Sequence, residues 1–239
     1  MKILALDTST DACSAALFID GEIQAKYQLA PREHSRLILK MLDTLLNDAD
    51  LSVSDLDAIA FGRGPGSFMG LRIAAGVVQG IAFAHDIPVI PVSTLKAIAQ
   101  RAYEQTQIKY VLATIDARMD EVYWACYYLD DSKPDNAIWQ VNEAECVIAP
   151  EQIELTEMLA DKNNSWVGAG SGWKNYAERI LVDKDFSMHK MLPDCLPGAE
   201  QIVKLAAQDL TLGNTVSAAE AIPVYLRNNV ARKPKAITF

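Results

Sequence analysis

The chain has 239 residues, with 22 Lys and Arg against 31 Asp and Glu and a formal net charge of −9. Half of the residues are hydrophobic and 22% are charged, a balance that excludes a disordered, collagenous or disulfide-scaffold chain and calls for a packed core. Proteins that grip a phosphate backbone unaided usually carry a basic face, so direct nucleic-acid binding is disfavoured as the main activity.

The apolar residues 3–6 are stopped by Asp7, too early for the roughly 7–15-residue apolar core of a secretory signal, and a cytoplasmic protein is expected. Asp7-Thr8-Ser9-Thr10-Asp11 is a cluster of turn formers, after which 12–19 is apolar again, so this stretch reads as strand, turn, strand. Asp20-Gly21 between Ile19 and Glu22 predicts a two-residue type I′ hairpin, with 22–29 as the third strand of an antiparallel meander. Over 33–47, Leu37, Ile38, Met41, Leu42, Leu45 and Leu46 recur at helical spacing and Leu39 adds a second apolar face, a stripe wider than one core contact needs. A short buried strand at 56–61 and a glycine-rich loop at 62–66 lead into a helix at 67–84. That helix is apolar on most sides and studded with Ala74, Ala75, Gly76 and Gly80, small residues that let another helix approach closely. The longest run without a charged residue, 73–85, falls short of the roughly 18 apolar residues of a bilayer span, so no transmembrane helix is expected. Pro88 and Pro91 suit a strand at 87–92 near a sheet edge, and 94–103 has helical periodicity.

After the polar stretch 104–109 the pattern begins again, with a strand at 110–115, a turn at 117–120, an alternating strand at 121–129, a polar turn at 130–136 and a third strand at 138–148. Helices are expected at 150–160, 173–180 and 198–210, with a short strand at 166–168. Two similar α/β units follow, one over 1–104 and one over 105–239, each opening with a three-stranded meander. The 198–210 helix has two possible seats, on the second unit or back on the first. Cys13, Cys126, Cys146 and Cys195 lie far apart, Cys13 and Cys126 inside apolar strand-like runs, so buried reduced thiols are expected rather than disulfides or zinc.

Gly62-Arg63-Gly64-Pro65-Gly66-Ser67 sits between strand and helix, where backbone N–H groups and a helix dipole can hold an anion. The Gly-Lys-Ser/Thr ending of a Walker loop is missing and Pro65 removes a donor. The bland reading is a type II turn over Pro65 and Gly66, with Ser67 capping the helix. Asp7, followed by three hydroxyl residues, suits a hydrated magnesium ion or a nucleotide phosphate, or an Asx-type turn. The candidate phosphate contacts are Asp7, Thr8, Ser9, Gly64, Gly66 and Ser67. No converging carboxylates favour two-metal nuclease chemistry. His34, His85 and His189 lie in different elements, which defeats a helical His-x-x-x-His metal site. His34 begins a helix and His85 ends one, where structural roles are the default. With no Gly-x-Ser-x-Gly elbow and no local Cys–His pairing, no catalytic residue and no metal ligand is named.

Asp7-Thr8-Ser9, Glu33-His34-Ser35, the run Gly62-Arg63-Gly64-Pro65-Gly66-Ser67-Phe68-Met69-Gly70-Leu71-Arg72-Ile73, and Pro223-Val224-Tyr225-Leu226-Arg227 together resemble the TsaB (YeaZ) family over essentially the whole chain. Met69 stands where that family usually has Thr. The resemblance implies an α/β fold of two actin-like (ASKHA, ribonuclease H-like) units, each a mixed sheet flanked by helices. It implies a role in forming threonylcarbamoyladenosine in tRNAs that read codons starting with A. TsaD, the related transferase, binds a metal through two histidines four residues apart, and the corresponding positions here are Thr94 and Ile98. Threonine is a poor ligand and isoleucine none, so the resemblance implies a non-catalytic paralogue, and a metallopeptidase activity fails on the same ligands.

Implied partners are TsaD directly, TsaE as an ATPase of the assembly and TsaC as supplier of the threonylcarbamoyl-adenylate. A homodimer is implied when the chain is alone, tRNA is touched at most indirectly, and no membrane is involved. No cofactor is intrinsic; ATP or ADP and Mg enter only in the complex with TsaD and TsaE. The surface expected to bind is the helix pair, through His34, Leu37, Met41, Leu45, Leu71, Ala75 and Val78. The enzyme alternative is a small ATP-dependent kinase of the same superfamily, with Gly168-Ala169-Gly170-Ser171-Gly172 as a second phosphate loop and Asp116 as the counterpart of Asp7.

Overall fold

The computed structural model describes residues 1–130, 132, 137–142, 144–154, 165–182 and 188–227. Strands β1 (Lys2–Asp7), β2 (Ala12–Ile19) and β3 (Glu22–Leu29) form the expected meander, joined across Asp20 and Gly21, whose φ values of 48° and 106° are those of a type I′ turn. Parallel strands β4 (Ala58–Gly64) and β5 (Val89–Ser93) extend it to the order β3-β2-β1-β4-β5. Strands β1 and β2 are covered on both faces, which is why they read as unbroken apolar runs. Proline-bearing β5 lies at the edge, where a missing N–H costs no ladder bond.

The first unit's helices are α1 (His34–Asp48), α2 (Phe68–His85) and α3 (Thr94–Thr106). Ser67 caps α2 by accepting the Gly70 N–H at 3.3 Å. The turn before it differs from the expected type II: the Gly64–Pro65 peptide is cis, and the positive φ belongs to Gly64 (109°), not to Gly66. Strand β4 also runs through Gly62 to Gly64, so the first three residues of the expected loop are strand. By length and composition α2 passes for a membrane span, which its charge-free run alone did not suggest. Its apolarity is divided between a row sunk into the first unit and an exposed row of small and aromatic residues.

The second sheet repeats the first. Strands β6 (Tyr110–Arg118), β7 (Glu121–Asp130), β8 (Ile138–Val141), β10 (Trp166–Ala169) and β11 (Met188–Leu192) take the order β11-β10-β6-β7-β8, the same path as β5-β4-β1-β2-β3. The expected third strand at 138–148 is broken: β8 pairs with the Asp130 end of β7, and β9 (Cys146–Ile148) pairs with its Val122 end. Strand β11 was not expected, because His189 and Lys190 on an exposed edge mask its pattern. Helices α4 (Gly172–Leu181) and α5 (Ala199–Thr211) are as expected. Of the 150–160 helix, Pro150–Gln152 form one 3₁₀ turn that ends at the extended Ile153; residues 155–160, and most of the 130–136 turn, lie outside the described residues.

Helices α3 and α5 lie between the two sheets. Helix α5 packs on β1, β2, β4 and β5 and against α3, so the 198–210 helix returns to the first sheet; α3 packs on β6, β7 and β10 of the second as well as on β4 and β5. The central core therefore joins Ala5, Ala60 and Ile90 to Val111, Ala113 and Val167 through Leu95, Ile98, Ile202 and Val203. A separate cluster under α1 and α2 holds Leu4, Leu6, Phe61, Ile38, Leu45 and Val78, and a third under α4 holds Trp124, Trp166 and Trp173. Each buried Leu, Ile, Val or Phe side chain among these contributes roughly 1.5–3 kcal/mol by leaving water.

Candidate functional site

Asp7 ends β1 in full burial. Its Oδ1 accepts the Ser9 N–H at 3.2 Å and the Ser9 hydroxyl at 2.9 Å, while Oδ2 has no partner among the described residues. Burial pushes the Asp7 carboxyl up to about 7 against the bonds from Ser9. Opposite stands the glycine run. A Cβ on Gly62 would lie 1.9 Å from Asp7 Oδ2, one on Gly66 2.4 Å from the Ser9 carbonyl oxygen, and one on Gly70 1.9 Å from the Thr8 carbonyl oxygen. Ser67 N–H donates to the Ser9 carbonyl at 2.7 Å, and the Thr8 hydroxyl donates to the Gly70 carbonyl at 2.7 Å.

The structure thus brings together Asp7, Thr8, Ser9, Gly64, Gly66 and Ser67, but as a clasp whose parts engage each other. Gly64 faces the Val224 carbonyl oxygen, which would stand 2.9 Å from an added Cβ, and Ile202 Cδ1 of α5 would stand 3.3 Å from a Cβ on Gly62. These residues do not fit a nucleotide phosphate as they stand. The glycines serve close backbone approach.

The second glycine run is filled in the same way. A Cβ on Gly170 would lie 2.0 Å from the Thr114 carbonyl oxygen, one on Gly172 2.6 Å from the Thr114 hydroxyl, and one on Gly168 2.6 Å from the Trp173 ring. Asp116 accepts the Arg118 N–H at 2.7 Å and the Asn175 side-chain amide at 3.0 Å, bonds that tie down the β6–β7 turn. Among the described residues no group of three or more His, Cys, Asp or Glu side chains converges as a metal site. Thr94 and Ile98 are buried on α3, His34 is buried with Nε2 unpartnered among the described residues, and His85 and His189 are exposed.

The helix surface needs a correction. Of the seven residues expected to meet a partner, His34, Leu45, Leu71, Ala75 and Val78 are buried within the unit itself; Ala75 is 4% exposed and Val78 0%. Leu37 and Met41 are half-buried and line an open groove with Lys26, Tyr27 and Lys40, between α1 and β3. The rows read from periodicity are the rows this chain buries, because the sheet claims the most regularly apolar side of each helix. The outward face of α2 is a different row: Met69, Arg72, Gly76, Gly80 and Phe83 are exposed, Ile73 and Val77 half-buried, and Phe83 reaches 85%. A Cβ on Gly76 or Gly80 would meet nothing within 4 Å. Leu39, 56% exposed, stands roughly 160° around α1 from Leu37.

Sequence reasoning missed the cluster at the start of this face. Arg72 lies 3.9 Å above the Phe68 ring, Phe68 packs on Tyr225 at 5.4 Å, and Arg72 Nε donates to the Tyr225 hydroxyl at 3.4 Å. The segment bearing Tyr225 donates Val224 N–H to the Arg63 carbonyl at 2.8 Å, and Arg227 reaches Glu121 and the Arg118 carbonyl of the second unit. Tyr225 lies 153 positions from Arg72 in the chain, beyond any local pattern.

Comparison with known proteins follows the same lines. Residues 23–235 match the family model described as TsaD, tRNA N6-adenosine threonylcarbamoyltransferase. The tRNA threonylcarbamoyladenosine biosynthesis protein TsaB of Escherichia coli (strain K12) is 44% identical over 98% of this chain and 97% of its own. The protein of the same description from Haemophilus influenzae is 41% identical over 98% and 96%. A solved structure of YeaZ from Pseudomonas aeruginosa superposes with a TM-score of 0.85 at 44% identity, covering 94% of this chain and 99% of that one.

Proposed function

Since the chain belongs to the TsaB (YeaZ) family, with its fold of two actin-like units, we propose that it serves threonylcarbamoyladenosine formation in tRNA as a non-catalytic binding subunit that docks TsaD on the outward face of α2. The observation that carries this reading is the row Met69, Gly76, Gly80 and Phe83, exposed and open above both glycines, with half-buried Ile73 and exposed Arg72 beside it. Glycines four apart on a free helix face allow a partner helix to approach backbone to backbone, and Phe83 supplies an aromatic anchor at its end. In the absence of TsaD a second copy takes the same face. TsaE joins the assembly and TsaC supplies the activated threonylcarbamoyl group. ATP or ADP and Mg enter through that assembly, because both glycine runs of this chain are filled by its own atoms. A kinase of the same superfamily would need space at both.

The test is binding to TsaD. Gly80→Leu and Phe83→Glu change exposed positions, so the isolated variants should melt near the wild type. Each should weaken the TsaD complex at least tenfold, about 1.4 kcal/mol or more, and reduce the homodimer in parallel. Unchanged affinity in both variants would move the docking surface elsewhere. Modification of tRNA by this protein and TsaC without TsaD would overturn the non-catalytic role.

A further inference from the structure

Away from the helix face and the clasp, donors from three elements converge on one carboxylate at the junction of the two units. Glu145 lies in the connection between β8 and β9, its side chain 12% exposed. Its Oε1 accepts the Tyr127 hydroxyl of β7 at 2.6 Å and the hydroxyl of Ser93, which caps α3. Its Oε2 faces Arg63 Nη2 of β4 at 3.5 Å. Ser93 Oγ also accepts the Lys96 N–H at 3.2 Å and stands 3.3 Å from the Tyr127 hydroxyl. Thr94, next in the chain, is fully buried with its hydroxyl unpartnered among the described residues.

A carboxylate drawn out of water costs several kcal/mol unless charge and hydrogen bonds replace its hydration. Here a guanidinium, two hydroxyls and the positive end of a thirteen-residue helix do so. Burial first, then the charge of Glu145, lifts the Tyr127 phenol well above its ordinary value, so it remains a donor. None of these groups is a chain neighbour of Glu145. They sit on β4, on the β5–α3 junction and on β7, framework elements of both units, whereas Glu145 enters from a connection.

We propose that Arg63, Ser93, Tyr127 and the start of α3 form a carboxylate-binding site that the chain fills with its own Glu145. Glu145 is then an internal ligand that ties the second unit's connection to the first unit. A small carboxylate takes its place when the side chain is withdrawn. The assignment to carboxylate rests on the two-sided arrangement, hydroxyls on one oxygen and guanidinium on the other, which matches a planar two-oxygen anion. It does not depend on the partner surface of α2.

Chemical rescue tests it on the full chain. In chloride, Glu145→Ala should melt roughly 5–10 °C below the wild type. Replacing chloride by formate at equal ionic strength should restore at least half of that loss, saturably. The wild type and Glu145→Gln, whose sites stay filled, should respond to formate no more than to chloride. Arg63→Ala combined with Glu145→Ala should abolish the rescue. An unchanged melting temperature for Glu145→Ala, formate no better than chloride, or equal gains in the wild type would overturn the proposal. Rescue by phosphate exceeding that by formate would overturn the carboxylate assignment. If Glu145→Ala does not accumulate folded, its refolding yield in formate against chloride is the readout, with the same outcomes.

Discussion

Gly62 and Asp7 stand so close across β4 and β1 that a Cβ on Gly62 would lie 1.9 Å from the Asp7 carboxylate. The contact is made by a fully buried acid whose other oxygen is already engaged by Ser9. Gly62→Ala should therefore destabilise the protein by about 2–4 kcal/mol, since neither the strand nor the acid has room to move. Denaturant titration measures it; a loss under ~0.5 kcal/mol would mean that Asp7 can turn away.

Asp7 also makes stability depend on pH. Its carboxyl has an ordinary value of 3.8 and is raised to about 7 in the fold, chiefly by burial. The folded state therefore holds the proton more tightly than the unfolded state. The resulting contribution is greatest below pH ~4, fades through the interval, and is gone above pH ~7, at about 1.4 kcal/mol for each unit of difference. Asp7→Asn cannot ionise, so its stability relative to the wild type should improve steadily over that interval and then level off. Unfolding midpoints measured across the range check this; a constant difference would assign the pH dependence to other groups.

The two sides of α2 should respond in opposite directions. Ala75→Glu places a charge in the cluster beneath the helix and should lower the monomer's stability by several kcal/mol. Gly76→Ala and Gly80→Ala, at open helical positions, should each raise it by about 0.4–1 kcal/mol, while a close helix partner would be held off by the added methyl groups. Melting curves of the monomer with TsaD affinity on the same samples separate the effects. Destabilisation by both glycine changes would place that row in a contact within the monomer.

Gly170→Ala probes the second glycine run. At φ +103° and with a Cβ 2.0 Å from the Thr114 carbonyl oxygen, alanine is excluded both by its backbone and by its side chain. A loss of about 3 kcal/mol or more is expected, read from the near-UV signal of Trp166 and Trp173, which lie in that unit's outer cluster. A run shaped for a ligand instead would tolerate the methyl group and leave the melting temperature unchanged.

The repeat of strand-rich openings was legible along the chain because alternation, type I′ turn residues and helical spacing are local. Asp20-Gly21 specified its hairpin whatever lay around it, and the apolar helix of residues 67–84 announced itself by composition. Which side of that helix faces inward was not legible, since a helix apolar on all sides has no preferred row until a sheet packs on one of them. Periodicity chose Leu71, Ala75 and Val78, and the sheet took them. The glycine runs carried the same ambiguity: a glycine permits close approach, but only the tertiary structure decides whether a phosphate or the Ser9 and Thr8 carbonyls occupy the space. Helix α5 found its seat on the first sheet, and Glu145 its three donors, through contacts between residues far apart in the chain, which no local pattern encodes.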